Sequence, residues 1–129
     1  MRFLIIEDNP DNAYLVRFLL EKRGHAVERA ADGPTGLRLA ADGQFDGVLL
    51  DIQLPGMDGY EAARRLKALP RGERVPVVAL TSFAMAGDRE LALSSGCDFY
   101  VEKPIRPESF VDEIETMIQE GTGGAHPDR

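Results

Sequence analysis

The chain has 129 residues, the size of one domain that can bury its own core without disulfide staples. Its 22 acidic and 15 basic side chains leave a net charge of -7, a balance that argues against non-specific binding to nucleic acid or to anionic membranes. The single cysteine excludes an internal disulfide, and no apolar run approaches the roughly 20 residues that a membrane helix needs, so the expectation is a cytoplasmic protein without membrane insertion.

Phe3 to Ile6 is a short, wholly apolar run that ends in two carboxylates, Glu7 and Asp8. Asn9-Pro10 reads as a helix N-cap with proline in the first turn. The helix is expected to run to about Arg23, with Gly24 closing it and Leu15, Val16 and Leu19 as its core stripe. Ala26 to Ala30 reads as a strand of mixed polarity at a sheet edge, and Gly33-Pro34 opens a helix that Gly43 ends. Phe45 to Leu50 is a strand whose last residues, Val48, Leu49 and Leu50, run straight into Asp51, as in a strand covered on both faces. Pro55, Gly56 and Gly59 break the chain beyond it, and Asp58 with Glu61 forms the pattern of a capping box before a helix over Tyr60 to Leu69.

Pro70 to Arg74 is a loop, and Val75 to Leu80 is an apolar strand that ends in Thr81-Ser82. A helix is expected over about Met85 to Ser95, with Gly96 stopping it, and a short strand over Asp98 to Val101 before Glu102-Lys103-Pro104. Pro107 is expected to start the last helix, with Phe110, Val111, Ile114, Met117 and Ile118 on one face. Residues 121–129 have no apolar anchor and read as a disordered tail, which leaves residues 1–120 as the single domain. Five strands alternating with five helices imply right-handed crossovers and a parallel sheet of the α/β class.

In that arrangement the apolar strands end in Glu7/Asp8, Asp51, Thr81 and Lys103, and all four ends lie on one edge of the sheet, where open α/β sheets bind ligands. Three carboxylates at one edge raise one another's pKa and call for a cation. Few, all-oxygen protein ligands suit Mg²⁺, which keeps several waters. A carboxylate nucleophile, Mg²⁺, a lysine and a hydroxyl are the equipment for phosphoryl transfer, in which positioning and charge neutralisation do most of the work.

These residues resemble the receiver domain of bacterial two-component response regulators, over about residues 2 to 120. The likeness rests on Glu7-Asp8, on Asp51 in DIQLPGMDG, on Thr81-Ser82 and on Lys103-Pro104, in that order and each at a strand end. It implies a flavodoxin-like, doubly wound sheet with strand order 2-1-3-4-5 and five helices. It implies Asp51 as phosphoacceptor, Lys103 and Thr81 as the groups that contact the phosphoryl group, and a Lys103-Pro104 bond that is cis. The same likeness gives Asp8 and Asp51 as Mg²⁺ ligands, with Glu7 acting mainly through water and the backbone carbonyl of Gln53 completing the site. Thr81 and Tyr100 would move together as the switch. The implied partners are a histidine kinase or histidine phosphotransfer protein and a downstream target protein, of the stand-alone type. On this reading the chain is not an enzyme beyond catalysing its own phosphorylation and slow dephosphorylation.

Readings from other classes are weaker. A phosphoaspartate hydrolase needs an acidic proton donor where Gln53 stands. A flavin module needs a hydroxyl- and glycine-rich phosphate loop where Glu7, Asp8 and Asp11 stand. A receiver excised from a hybrid histidine kinase stays open, as does a pure scaffold. Two surface expectations complete the reading. Tyr14 and Phe18, four apart beside the core stripe of the first helix, are the expected docking face for the phosphodonor. Phe83, bulky and without a nucleophile, is expected to slow loss of the phosphoryl group.

Overall fold

The computed structural model describes residues 1–82 and 87–121. The expected helix from Met85 therefore begins partly outside the described residues, as does the expectation about Phe83, and so do all but the first residue of the expected tail. Five strands, β1 (Arg2–Ile6), β2 (Ala26–Ala30), β3 (Gly47–Asp51), β4 (Val77–Thr81) and β5 (Phe99–Glu102), form one parallel sheet in the order β2-β1-β3-β4-β5. The helices are α1 (Pro10–Lys22), α2 (Gly33–Asp42), α3 (Gly59–Ala68), α4 (Asp88–Ser94) and α5 (Phe110–Glu120).

Strand alternation divides the core in two. Leu4, Ile6, Val48, Leu50, Val77 and Ala79 join Ala62, Ala63 and Leu66 of α3 and Ala92 of α4 on one face. Phe3, Ile5, Leu49, Val78 and Leu80 join Val16 and Leu20 of α1 and Phe110, Val111 and Ile114 of α5 on the other. β3 and β4 are buried at every position, which explains why their sequences carry no polar alternation.

Local chemistry sets the ends of the elements. The Asn9 side chain accepts from the N–H groups of Asp11 and Asn12 and so caps α1, and Gly24 takes the left-handed conformation, φ 94°, just beyond its C-cap. Asp58 accepts from Tyr60 N–H at 2.8 Å at the start of α3, but Glu61 turns to Arg64 and Arg65 and leaves the capping box half-made. α5 starts at Phe110 and not at Pro107, because the Arg106 carbonyl accepts from Ser109 and Phe110 and closes a separate turn first. β5 starts at Phe99. Asp98 sits below it, accepting Val77 N–H at 2.8 Å and pairing with Lys67 at 2.5 Å, and it ties the foot of β4 to α3. The core stripe of α1 is Ala13, Val16 and Leu20, with Leu15 and Leu19 only partly buried, so the helix sits one position round from the expected stripe.

The turn after β3 depends on one close approach. Gly59 N–H donates to the Ile52 carbonyl at 3.2 Å, and a Cβ on Gly59 would be driven into the Cα and carbonyl of Ile52. The obstacle is main chain, so it cannot yield by changing rotamer. Gly59→Ala is expected to cost about 3 kcal/mol, the upper end of overpacking penalties. Urea unfolding measures this, and an unchanged midpoint would show that the turn relaxes freely.

Candidate functional site

The register brings the polar strand ends together. Ile6 of β1 lies opposite Leu50 of β3, so Glu7 and Asp51 follow at the same level on neighbouring strands. Thr81 of β4 pairs with Glu102 of β5, and Lys103 follows directly. By alternation Glu7 and Asp51 share the α1/α5 face of the sheet, whereas Thr81 and Tyr100 share the parity of the α3/α4 face.

Glu7 and Asp51 are each 3% exposed, while Asp8 beside them is open to solvent. One carboxylate oxygen from each of the three lies within 4.8 Å of the others. Lys103 Nζ sits 3.1 Å from Glu7 Oε1 and 3.5 Å from Asp51 Oδ1, so one ammonium bridges the two buried groups. Gln53 N–H donates to Asp51 Oδ1 at 3.0 Å, and Asn9 N–H donates to Glu7 Oε2 at 3.2 Å. The Lys103-Pro104 peptide is cis, as expected.

One ammonium does not offset two buried carboxylates. Burial is the largest influence on Glu7, and a hydrogen bond shared with Asp51 and the Asp51 charge act in the same direction. Together they push its carboxyl up to about 7, against the pull of Lys103 and Asn9. Elsewhere, burial pushes the Cys97 thiol up to about 12, which makes it a packing residue and not a nucleophile.

The structure gathers Glu7, Asp8, Asp51 and Lys103 into one cluster, and Gln53 joins it through its N–H on Asp51. Thr81 is buried at the end of the adjacent strand, its carbonyl accepting from Lys103 N–H at 2.8 Å. Tyr100 is half-buried against the α3/α4 core. Tyr14 and Phe18 stand apart on α1, 70% and 48% exposed, with their rings stacked 6.2 Å apart. Two contacts escape sequence reasoning. Gln53 Oε1 accepts from Ser82 N–H at 3.3 Å, linking the turns after β3 and β4, and the Arg29 guanidinium reaches the Glu7-Asp8 turn. Neither has a sequence signal, since a glutamine in a turn and an arginine in an edge strand both read as solvated.

The family model of the response regulator receiver domain matches residues 3–115. The chain belongs to the response regulator receiver family. Among curated proteins it is 38% identical to the polar-differentiation response regulators DivK of Brucella anthropi and Brucella ovis, over 89% of this chain and 94% of theirs. Among solved structures, the receiver domain of a sensor histidine kinase from Pseudomonas aeruginosa PAO1, with magnesium coordinated in its active-site cleft, is 36% identical. It superposes with a TM-score of 0.84 over 92% of this chain and 97% of that one. A CheY-like receiver from Methanospirillum hungatei JF-1 is 29% identical, with a TM-score of 0.84 over 92% and 94%. The sheet order and five helices of this receiver are those of the flavodoxin-like receiver fold. No helix among its described residues is long and apolar enough to cross a membrane.

The raised Glu7 carboxyl has a consequence for the metal-free receiver. Its folded value of about 7 lies above the ordinary 4.5, so folding favours the protonated form. That stabilisation is complete below the unfolded value and is lost as pH rises through the folded one. Asp32, held below its ordinary value by Thr35 N–H, and Glu61, held down by Arg65 and Arg64, titrate beneath this window. In chelator, the melting temperature is expected to fall from about pH 5 to about pH 8, and Glu7→Gln should flatten that slope. A slope that survives in the variant would assign it to another group.

Proposed function

We propose that this receiver takes a phosphoryl group from a phosphohistidine donor onto Asp51 and, once modified, changes the surface it offers to a target protein. The observation that carries this reading is the grouping of three carboxylates within 4.8 Å, with Lys103 bridging Glu7 and Asp51. Asp51 is the acceptor in this reading because it ends a strand buried at every position and one of its oxygens is held by Gln53 N–H. A carboxylate oxygen of Asp51 attacks phosphorus, the phosphorus–nitrogen bond to the donor histidine breaks, and the imidazole leaves with the bonding pair.

The donor set fits a hard divalent cation. All three side chains offer oxygen, two are buried with too little positive charge nearby, and exposed Asp8 leaves one side open to water. Asp8 and Asp51 would hold Mg²⁺, with Glu7 acting through water and the Gln53 carbonyl completing the set. The magnesium in the cleft of the Pseudomonas aeruginosa receiver supports that choice. Bound there, Mg²⁺ supplies charge to the phosphoryl oxygens that Asp51 would otherwise repel. Lys103, already 3.5 Å from Asp51, supplies a fixed positive charge on the same side. Thr81 supplies a hydroxyl to the modified Asp51, and Tyr100, on the same sheet face, follows it inward.

The donor side of the reading rests on α1. Tyr14 and Phe18 form a stacked, exposed aromatic pair on the helix that begins beside Asp8. A histidine kinase or phosphotransfer protein that covers them brings its imidazole toward Asp51. Action in the cytoplasm, where such donors present their phosphohistidines, belongs to the same reading.

Acetyl phosphate with Mg²⁺ is expected to place one phosphoryl group on the native chain and none on Asp51→Asn, with intact mass as the readout. Undiminished labelling of the variant would move the acceptor elsewhere. Tyr14→Ala with Phe18→Ala is expected to slow transfer from a phosphohistidine protein roughly tenfold, about 1.4 kcal/mol, while labelling by acetyl phosphate stays normal. Equal loss from both donors would trace the effect to the fold and not to docking.

A further inference from the structure

The Glu7-Asp8 turn must do something an extended chain does not. Successive residues of a strand point to opposite faces. Glu7 and Asp8 nevertheless bring carboxylate oxygens within 4.8 Å of each other and of Asp51, one group buried and the other exposed. The main chain bends at Asp8, and something has to hold that bend. The sheet ladder of β1 ends at Ile6 and α1 begins at Pro10, so the carbonyls of Glu7 and Asp8 fall between two repeating hydrogen-bond patterns.

Arg29 fills that interval. It lies on β2 opposite Ile5, with the alternation parity of Val27, on the sheet face that also carries Ile5. Its Nε donates to the Glu7 carbonyl at 3.1 Å and its Nη2 donates to the Asp8 carbonyl at 3.0 Å. β2 also takes the Glu7 N–H, which donates to the Ala30 carbonyl at 3.0 Å. One planar guanidinium thus fixes two successive peptide units, a task that needs the rigid fork of arginine and not the single nitrogen of lysine.

We infer that Arg29 is a positioning residue: by gripping both carbonyls it holds the Glu7-Asp8 turn in the shape that assembles the three carboxylates, and so sets their affinity for a divalent cation. This rests on the cation reading of Glu7, Asp8 and Asp51 given above. Position and charge make opposite demands. A guanidinium beside a cation site repels the cation, so if charge were the whole effect, removing Arg29 would tighten binding. If the grip matters more, removing it loosens binding, because the turn must then be ordered at the moment the cation arrives.

The test is a calorimetric Mg²⁺ titration of the full chain in its native form and as Arg29→Gln and Arg29→Lys, with metal-free melts beside it. Both variants are expected to bind Mg²⁺ roughly tenfold more weakly, the usual cost of losing a partner that orients a ligand. Arg29→Lys keeps the charge and the strand position, so its loss of affinity isolates the fork. In the metal-free state, amide exchange at Asp8 and Asn9 is expected to quicken in both variants while the core amides hold. Native affinity in Arg29→Lys, or tighter binding in Arg29→Gln, would overturn the inference and leave the cation site standing. A native chain that takes up no Mg²⁺ would overturn the cation reading, and this inference with it. If Arg29→Gln fails to melt cooperatively, the Lys variant alone decides.

Discussion

Two carboxylates, each 3% exposed, end adjacent strands with one ammonium between them, and the rest of the molecule is arranged around that contact. Burying a carboxylate without a partner is expensive, and burying two side by side is worse. The sheet makes the arrangement affordable because its interior strands, closed on both faces, cannot shift register without turning their apolar side chains the wrong way. Lys103 arrives from beyond β5, Asn9 N–H from the start of α1 and Gln53 N–H from the turn after β3. Each comes from a different connection, yet all are fixed by the same five-strand register. The residual imbalance, felt at Glu7, is a standing demand for positive charge.

Much of this was legible in the sequence, for a physical reason. Strands buried on both faces carry runs of apolar residues, and the first polar residue after each run marks the strand end almost to the residue. Asp51 and Thr81 close their strands, and Glu7 follows the last residue of β1. What could not be read is what depends on three-dimensional neighbours. Ala13 is buried on α1 in line with Val16 and Leu20, because the helix packs one position round from its leucine-rich edge. Glu61 looks like half of a capping box, but Arg64 and Arg65 compete for it successfully. Pro107 looks like a first helical residue and instead opens a turn.

Arg29 is the sharpest case. In sequence it is one charge in a strand of mixed polarity at a sheet edge, and such charges normally point to water. It matters because β2 lies beside β1, and that adjacency is a property of topology and not of the local pattern. A long side chain near the end of an edge strand reaches the turn that leaves its neighbour, and only the folded order of strands says which turn that is.

The division of the sheet into two faces has one more consequence. The aromatic pair lies on α1, against the face that holds Glu7 and Asp51, whereas Thr81 and Tyr100 take the parity of the face beneath α3 and α4. A protein seated on α1 therefore leaves the α3/α4 side bare, and one seated there leaves α1 bare. On the reading proposed above, a donor on α1 and a target on the α3/α4 side would use opposite faces of one sheet. The ends of β3 and β4, which carry Asp51 and Thr81, are neighbours in that sheet, so a single step between adjacent strands separates the two groups.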